Sequence, residues 1–189
     1  PEISNFRIVL RKGDLLMILP DGRESRLSEA WPETFRVGDA PSPERIRDEF
    51  FQILSVKGAG RHLLLMESLG LLKKLLPELG PLKDFAPGKH HLYDIFTHSI
   101  KTAEYVDVVL ENLQSISPEH AGRVRGHLEE PLEHFVTRKA ALRFACLLHD
   151  IAKSDTYSRD EEGDIHFYGH DSLGAEKAKE ICKRFRLSR

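Results

Sequence analysis

The residues of this chain best equipped for chemistry lie in the stretch Phe144-Ala145-Cys146-Leu147-Leu148-His149-Asp150-Ile151-Ala152-Lys153. It sets an imidazole and a carboxylate side by side in an apolar, helix-compatible run, where an unpaired carboxylate is costly to bury. A divalent cation would remove that cost, keeping Asp150 ionised while neutral His149 coordinates through a ring nitrogen. A buried His–Asp hydrogen bond without metal would satisfy the same pair, and composition does not choose between the two. Without either, Asp150 is expected to be an uncompensated buried charge. His98, on an amphipathic segment, and His170, at the opening of the last helical segment, are the other metal-capable side chains set where a plain surface role fits poorly. Lys153, three positions after Asp150, suits a substrate phosphate, and equally suits a helix C-terminus. The other histidines read as ordinary. His62 is isolated, and His120, His127 and His134 recur among glycines and Pro131. His90 and His91 lie in a loop, where His91 can line a site mouth.

These groups need a scaffold, and the rest of the sequence describes one. In the first forty residues, Phe6-Arg7-Ile8-Val9-Leu10-Arg11 and Leu15-Leu16-Met17-Ile18-Leu19 flank Gly13-Asp14 and predict a small β-hairpin. Pro20 to Pro41 reads as loop. Helices follow. Ser42 is an N-cap with Pro43 at the first helical position, and Ile46, Phe50, Ile53 and Leu54 share a face. The leucine-rich segment from His62 to Leu82 breaks at Gly70 and Pro77. Asp94 caps a helix whose inward residues are Ile95, Ile100, Ala103, Val106 and Leu110. Residues 117–131 make a weak helix at best, whereas 132–152 predicts one strong helix. The last helix turns Ala175, Ala178, Ile181 and Cys182 inward. The fold class is mainly α.

Apolar runs of about five residues fall far short of the roughly 20 that span a bilayer. No basic-then-apolar leader is visible. With only Cys146 and Cys182, a cytoplasmic protein with reduced thiols and no membrane partner is expected. A net charge of −2 supplies no general field for a polyanion.

Three stretches, His98-Ser99-Ile100-Lys101-Thr102-Ala103-Glu104-Tyr105, the run through His149-Asp150, and Gly169-His170-Asp171-Ser172-Leu173-Gly174-Ala175-Glu176, occur in that order. In this the chain resembles the HD-superfamily metal-dependent phosphohydrolases. More closely, residues from Ser42 onward, including "SPERIRDEFFQIL" and "LGLLKKLLPELGPLK", resemble the C-terminal half of bacterial tRNA nucleotidyltransferase/poly(A) polymerase proteins. The resemblance implies a helical bundle divided into a hairpin and linker (1–41), a helical neck (42–88) and an HD domain (89–189). It implies His98, His149 and Asp150 as ligands of a nickel, manganese, iron, cobalt or zinc ion, a mixed His/Asp set that suits such metals better than calcium. The metal would act as a Lewis acid and acidify a water. Asp150 and Lys153 would be catalytic, and His170 and His91 would face substrate or a second metal. Nucleotide or RNA 3′-end phosphoesters, 2′,3′-cyclic phosphates included, would be the substrates. A further aspartate ligand is expected beyond residue 189, because Asp171 stands too close to His170 to serve. The alternative is a non-catalytic RNA- or tRNA-binding body that uses Arg45, Arg47, Lys73 and Lys74. The nucleotidyltransferase site itself is not expected: the sequence holds neither a Gly-Gly phosphate loop nor an Asp-x-Asp pair.

Overall fold

A computed structural model of the protein describes residues 7–11, 14–18, 23–26, 42–85, 93–133 and 135–187. The chain divides into two compact units, residues 1–40 and 41–189.

In the first unit, β1 (Arg7–Arg11) pairs antiparallel with β2 (Asp14–Ile18), with Arg11 opposite Asp14 and Arg7 opposite Ile18. The hairpin acquires a third strand that the sequence reading left as loop. β3 (Glu24–Arg26) pairs with β2 through Leu16–Arg26 to Ile18–Glu24. Three polar residues carry no alternation to betray a strand; the open edge of β2 recruits them through backbone pairing.

The second unit is helical. α1 (Pro43–Ser55) begins as expected: the Ser42 hydroxyl accepts from the Arg45 N–H at 3.3 Å and Pro43 occupies the first position. α2 (Ala59–Ser68) and α3 (Leu71–Leu75) are separated at Gly70, and a 3₁₀ turn starts at Pro77. α4 (Ile95–Glu111) buries Ile95, Phe96, Ser99, Ile100, Ala103 and Val106 along one face. The short α5 (Leu113–Ile116) leads into α6 (Ala121–Glu129), a helix where only a weak one was expected. It buries Ala121 alone, and Arg125 donates to the Leu110 carbonyl at 3.0 Å, so docking rather than propensity sustains it. The predicted helix over 132–152 is broken at both ends. Pro131 starts a two-strand ladder of β4 (Pro131–Glu133) and β5 (Val136–Thr137). Thr137 then caps α7 (Arg138–Leu148), accepting from Ala140 N–H at 3.2 Å. β6 (Ser158–Arg159) and β7 (Ile165–His166) form a small hairpin before α8 (His170–Arg184). Within α8, Ile181 is buried as expected, but Gly174 rather than Ala175 faces inward.

The core joins α1 to α4, α7 and α8. Phe50, Phe51, Phe144 and Phe185 meet with ring centroids 5.2–6.1 Å apart, mostly edge to face. α4 and α7 form the most extensive helix pair. At Gly60 a Cβ would lie 2.9 Å from Glu104 Cβ, so α2 approaches α4 as closely as it does only because that side chain is missing. Arg143 is buried within this core. Its guanidinium donates to the Leu54 carbonyl at the end of α1 and pairs with Asp107 of α4, while the other Asp107 oxygen accepts the Gly58 N–H at 3.0 Å.

The start of α4 yields a pH-dependent expectation. Burial would raise the Asp94 carboxyl, but hydrogen bonds from Thr97 and Asp84 outweigh it and hold the group below its ordinary value of 3.8. A depressed carboxylate stabilises the fold above its unfolded value and loses that contribution as pH falls through the folded one. Asp94→Ala should therefore cost about 1 kcal/mol at neutral pH, with the deficit shrinking below pH 3.8. Urea melts across that range read it directly. An equal deficit at every pH would mean that the carboxylate's charge contributes nothing.

Candidate metal centre

α7 buries Ala140, Arg143, Phe144, Leu147 and Leu148. One turn beyond Leu147, the same inward side receives Asp150, which is buried. The helix has by then ended. His149 is its C-cap residue, and the chain continues in tight turns, with Ile151 N–H on the Leu148 carbonyl and Lys153 N–H on the Asp150 carbonyl. The pair thus stands at a helix terminus rather than inside a helix, so the groups meet at the open end of the bundle. His149 is half-exposed and His98 is exposed; only the carboxylate is buried. A wholly buried pair was expected.

Three donor atoms converge there. His98 Nε2 lies 3.3 Å from His149 Nε2 and 3.6 Å from Asp150 Oδ2, and His149 Nε2 lies 3.1 Å from the same oxygen. The His149 ring is oriented from behind, because Nδ1 donates to the Cys146 carbonyl at 2.8 Å. That bond caps an otherwise orphaned carbonyl of α7 and, in the neutral ring, leaves Nε2 with a free lone pair facing Asp150. Metal bonds of about 2.0–2.2 Å put neighbouring ligand atoms roughly 2.8–3.6 Å apart in octahedral or tetrahedral geometry. The observed separations fit. Among the described residues, His98, His149 and Asp150 are the only such cluster of three.

Lys153 completes the constellation, with Nζ 2.9 Å from Asp150 Oδ2 and 5.4 Å from the Phe167 ring centroid. Burial would push the Asp150 carboxyl up, but hydrogen bonds from His149 in its protonated form and from Lys153 prevail and lower it to about 2. The hydrogen bond to Asp150 in turn raises His149, against the opposing effect of burial. Asp150 is thus compensated even with no metal: His149 stands where the metal-free alternative places it, and Lys153 adds a partner that neither alternative included. The three-residue spacing of Asp150 and Lys153 is the local signal for this pairing, since it brings the two side chains together in a helix or in the turns found here.

His170 stands outside the cluster. Its Nδ1 donates to the Phe167 carbonyl at 2.7 Å and its ring lies 6.5 Å from Phe167, the ring that Lys153 covers. Gly169, at φ +77°, supplies the left-handed turn that launches α8 there. His91 lies outside the described residues. Arg143, which the sequence reading passed over, carries no signal in its apolar surroundings beyond being a cation on an inward helical position.

The HD domain profile matches residues 95–189, the stretch that holds all of these donors. The chain belongs to the HD domain family. Residues 40–82 match a second family, described as a probable RNA and SrmB-binding site of polymerase A. Among curated proteins, the chain is 33% identical over 159 residues to an A-adding tRNA nucleotidyltransferase of Deinococcus radiodurans, covering 80% of this chain and 30% of that protein. A CC-adding tRNA nucleotidyltransferase of Thermus thermophilus is 31% identical, with 84% and 30% covered. The multifunctional CCA protein of Pasteurella multocida is 28% identical, with 83% and 28% covered. The chain spans about 30% of the length of the curated relatives it matches. Of the HD domain's described helices, none is long and apolar enough to cross a membrane.

Proposed function

We propose that this HD-family chain is a metal-dependent phosphohydrolase acting on nucleotide or RNA 3′-end phosphoesters, 2′,3′-cyclic phosphates included. The observation that carries the reading is the convergence of His98 Nε2, His149 Nε2 and Asp150 Oδ2 within 3.6 Å, with the Lys153 ammonium on the same oxygen. Two imidazoles and one carboxylate suit manganese, iron, cobalt, nickel or zinc. A divalent cation held there would polarise a phosphoryl oxygen and make a water acidic at neutral pH. The chain's own residues do the rest. Asp150, ionised throughout the physiological range, serves as the anionic ligand and offers a carboxylate oxygen to orient a water. Lys153, on a flexible stem, exchanges its contact with Asp150 for a substrate phosphate oxygen. His170, at the start of α8, faces the departing part of the substrate. In this reading residues 89–189 carry the chemistry and residues 42–88 serve as a neck, the protein working in the cytoplasm on a nucleotide or RNA end.

Adding manganese, nickel or zinc to chelator-treated protein should raise its melting temperature. At a hundredfold excess over Kd the stabilisation is about 2.7 kcal/mol, or roughly 5–10 °C for a chain of this size. His98→Ala should abolish the shift with little change in the metal-free melt, because the ring is exposed. No shift with any of these ions would remove the basis of the proposal.

A second reading has its own support in the segment at 40–82 and in the tRNA nucleotidyltransferase relatives: a tRNA-binding body without catalysis. Arg45, Lys73 and Lys74 are exposed and available to phosphates. Arg47 is not, being held by Asp48, Glu133 and the Arg186 carbonyl. Strongly salt-dependent tRNA binding with no metal-dependent turnover would select this reading.

A further inference from the structure

The hairpin between the metal centre and α8 carries an aromatic pair that the chemistry above does not use. The His166 and Tyr168 rings stack with centroids 4.9 Å apart and planes 14° from parallel. His166 is anchored by a 2.7 Å hydrogen bond to Asp160, which also accepts the Asp164 N–H across the turn. Tyr168 is 76% exposed, the most exposed of the large hydrophobic side chains among the described residues. Phe167, between them, is turned to the body of the protein. It packs on Tyr157, which packs on Phe85, and its face lies under the Lys153 ammonium. One dipeptide therefore reaches Lys153, the partner of Asp150, through Phe167 and presents an open ring to solvent through Tyr168.

We infer that the Tyr168–His166 stack is a platform for a nucleobase of the substrate, a nucleotide or so from the phosphoester held at the metal centre. The inference rests on the phosphoester reading above and adds how a nucleic-acid end would be seated. A phenol ring already braced on one face loses little freedom when a base covers the other. Asp160, at the edge of the His166 ring, disfavours a phosphate there and leaves a flat neutral ring as the fitting guest. Base–aromatic stacking tolerates any base, so the platform would grip an RNA end without reading its sequence.

The test is a titration of a short single-stranded RNA bearing 2-aminopurine near a 3′ phosphate, in chelator so that nothing is turned over. Stacking on Tyr168 should quench the fluorescence. Tyr168→Ala should abolish the quenching and weaken binding about tenfold, whereas Tyr168→Phe, which keeps the ring face, should preserve both. With manganese added, the ratio of KM on the RNA to KM on glycerol 2-phosphate, which has no base, should rise about tenfold in Tyr168→Ala. Equal losses on the two esters, quenching that survives in Tyr168→Ala, or no RNA binding by the parent would each overturn the platform. If the parent hydrolyses neither ester, the phosphohydrolase reading fails by itself and the titration still decides the platform.

Discussion

Asp150→Ala is expected to eliminate metal-dependent phosphoester hydrolysis and also to weaken the metal-free fold. Activity should fall by well over 100-fold, since losing a residue that merely supports a ligand already costs about 10–100-fold, and Asp150 supplies the ligand atom itself. The stability effect follows from the pairing. The buried carboxylate is bonded to the Lys153 ammonium at 2.9 Å and lies 3.1 Å from His149 Nε2, and hydrogen bonds to a charged group contribute about 1.5–3 kcal/mol. From the sequence alone the opposite would be expected, that deletion relieves an uncompensated charge. Denaturant melts in chelator, beside a phosphoesterase assay with added manganese, separate the outcomes. Lost stability together with lost activity supports a metal centre built on an internally balanced carboxylate. Lost stability in a protein whose parent shows no metal-dependent activity would make the His149–Asp150–Lys153 group a structural knot, and the function would have to be sought elsewhere.

Arg143→Met should be the most damaging single change to the fold. The side chain is buried, spans from the Leu54 carbonyl to the Asp107 carboxylate, and lies far from the metal donors in role. Methionine fills much of the volume but strands a partly buried carboxylate, and breaking a buried pair from one side costs about 3–5 kcal/mol. For a chain of this size that is a fall of roughly 10 °C or more in Tm. The Arg143→Met/Asp107→Asn double variant should recover part of the loss, because the stranded charge is gone while the amide can still accept from Gly58 N–H. A double variant as unstable as the sum of the two single ones would show that the guanidinium acts through packing alone.

How much of this was legible in the sequence depends on whether the information was local. Ser42 and Asp94 announced their caps because a cap bonds a residue three positions on, and Gly70 and Pro77 announced breaks for reasons within their own backbones. The candidate donors His98, His149 and Asp150 were picked out by residue type and apolar surroundings, and the structure brings them together. What failed was non-local. β3 exists because β2 offers an edge, and α6 because neighbours hold it. Residues 132–152 look continuously helical to any periodicity argument, yet the Thr137 cap and the β4–β5 ladder divide them. Arg143 was invisible because its two partners lie 36 and 89 positions away.

Those same separations bear on how such a chain can be inherited. The segment matching the RNA-binding family (40–82) and the segment matching the HD family (95–189) are separate in sequence but share one interior. Phe50 and Phe51 of the first close on Phe144 of the second, and Arg143 and Asp107 of the second clamp the backbone at Leu54 and Gly58 of the first. Recombination that swapped either segment for a distant cousin's would put at risk the ion pairs that cross between them, Arg47–Glu133 and Glu78–Arg184, and the fit of the phenylalanine cluster. The two segments therefore fold as one body, and a change of volume at Phe50 or Phe51 has to be met at Phe144 across the boundary.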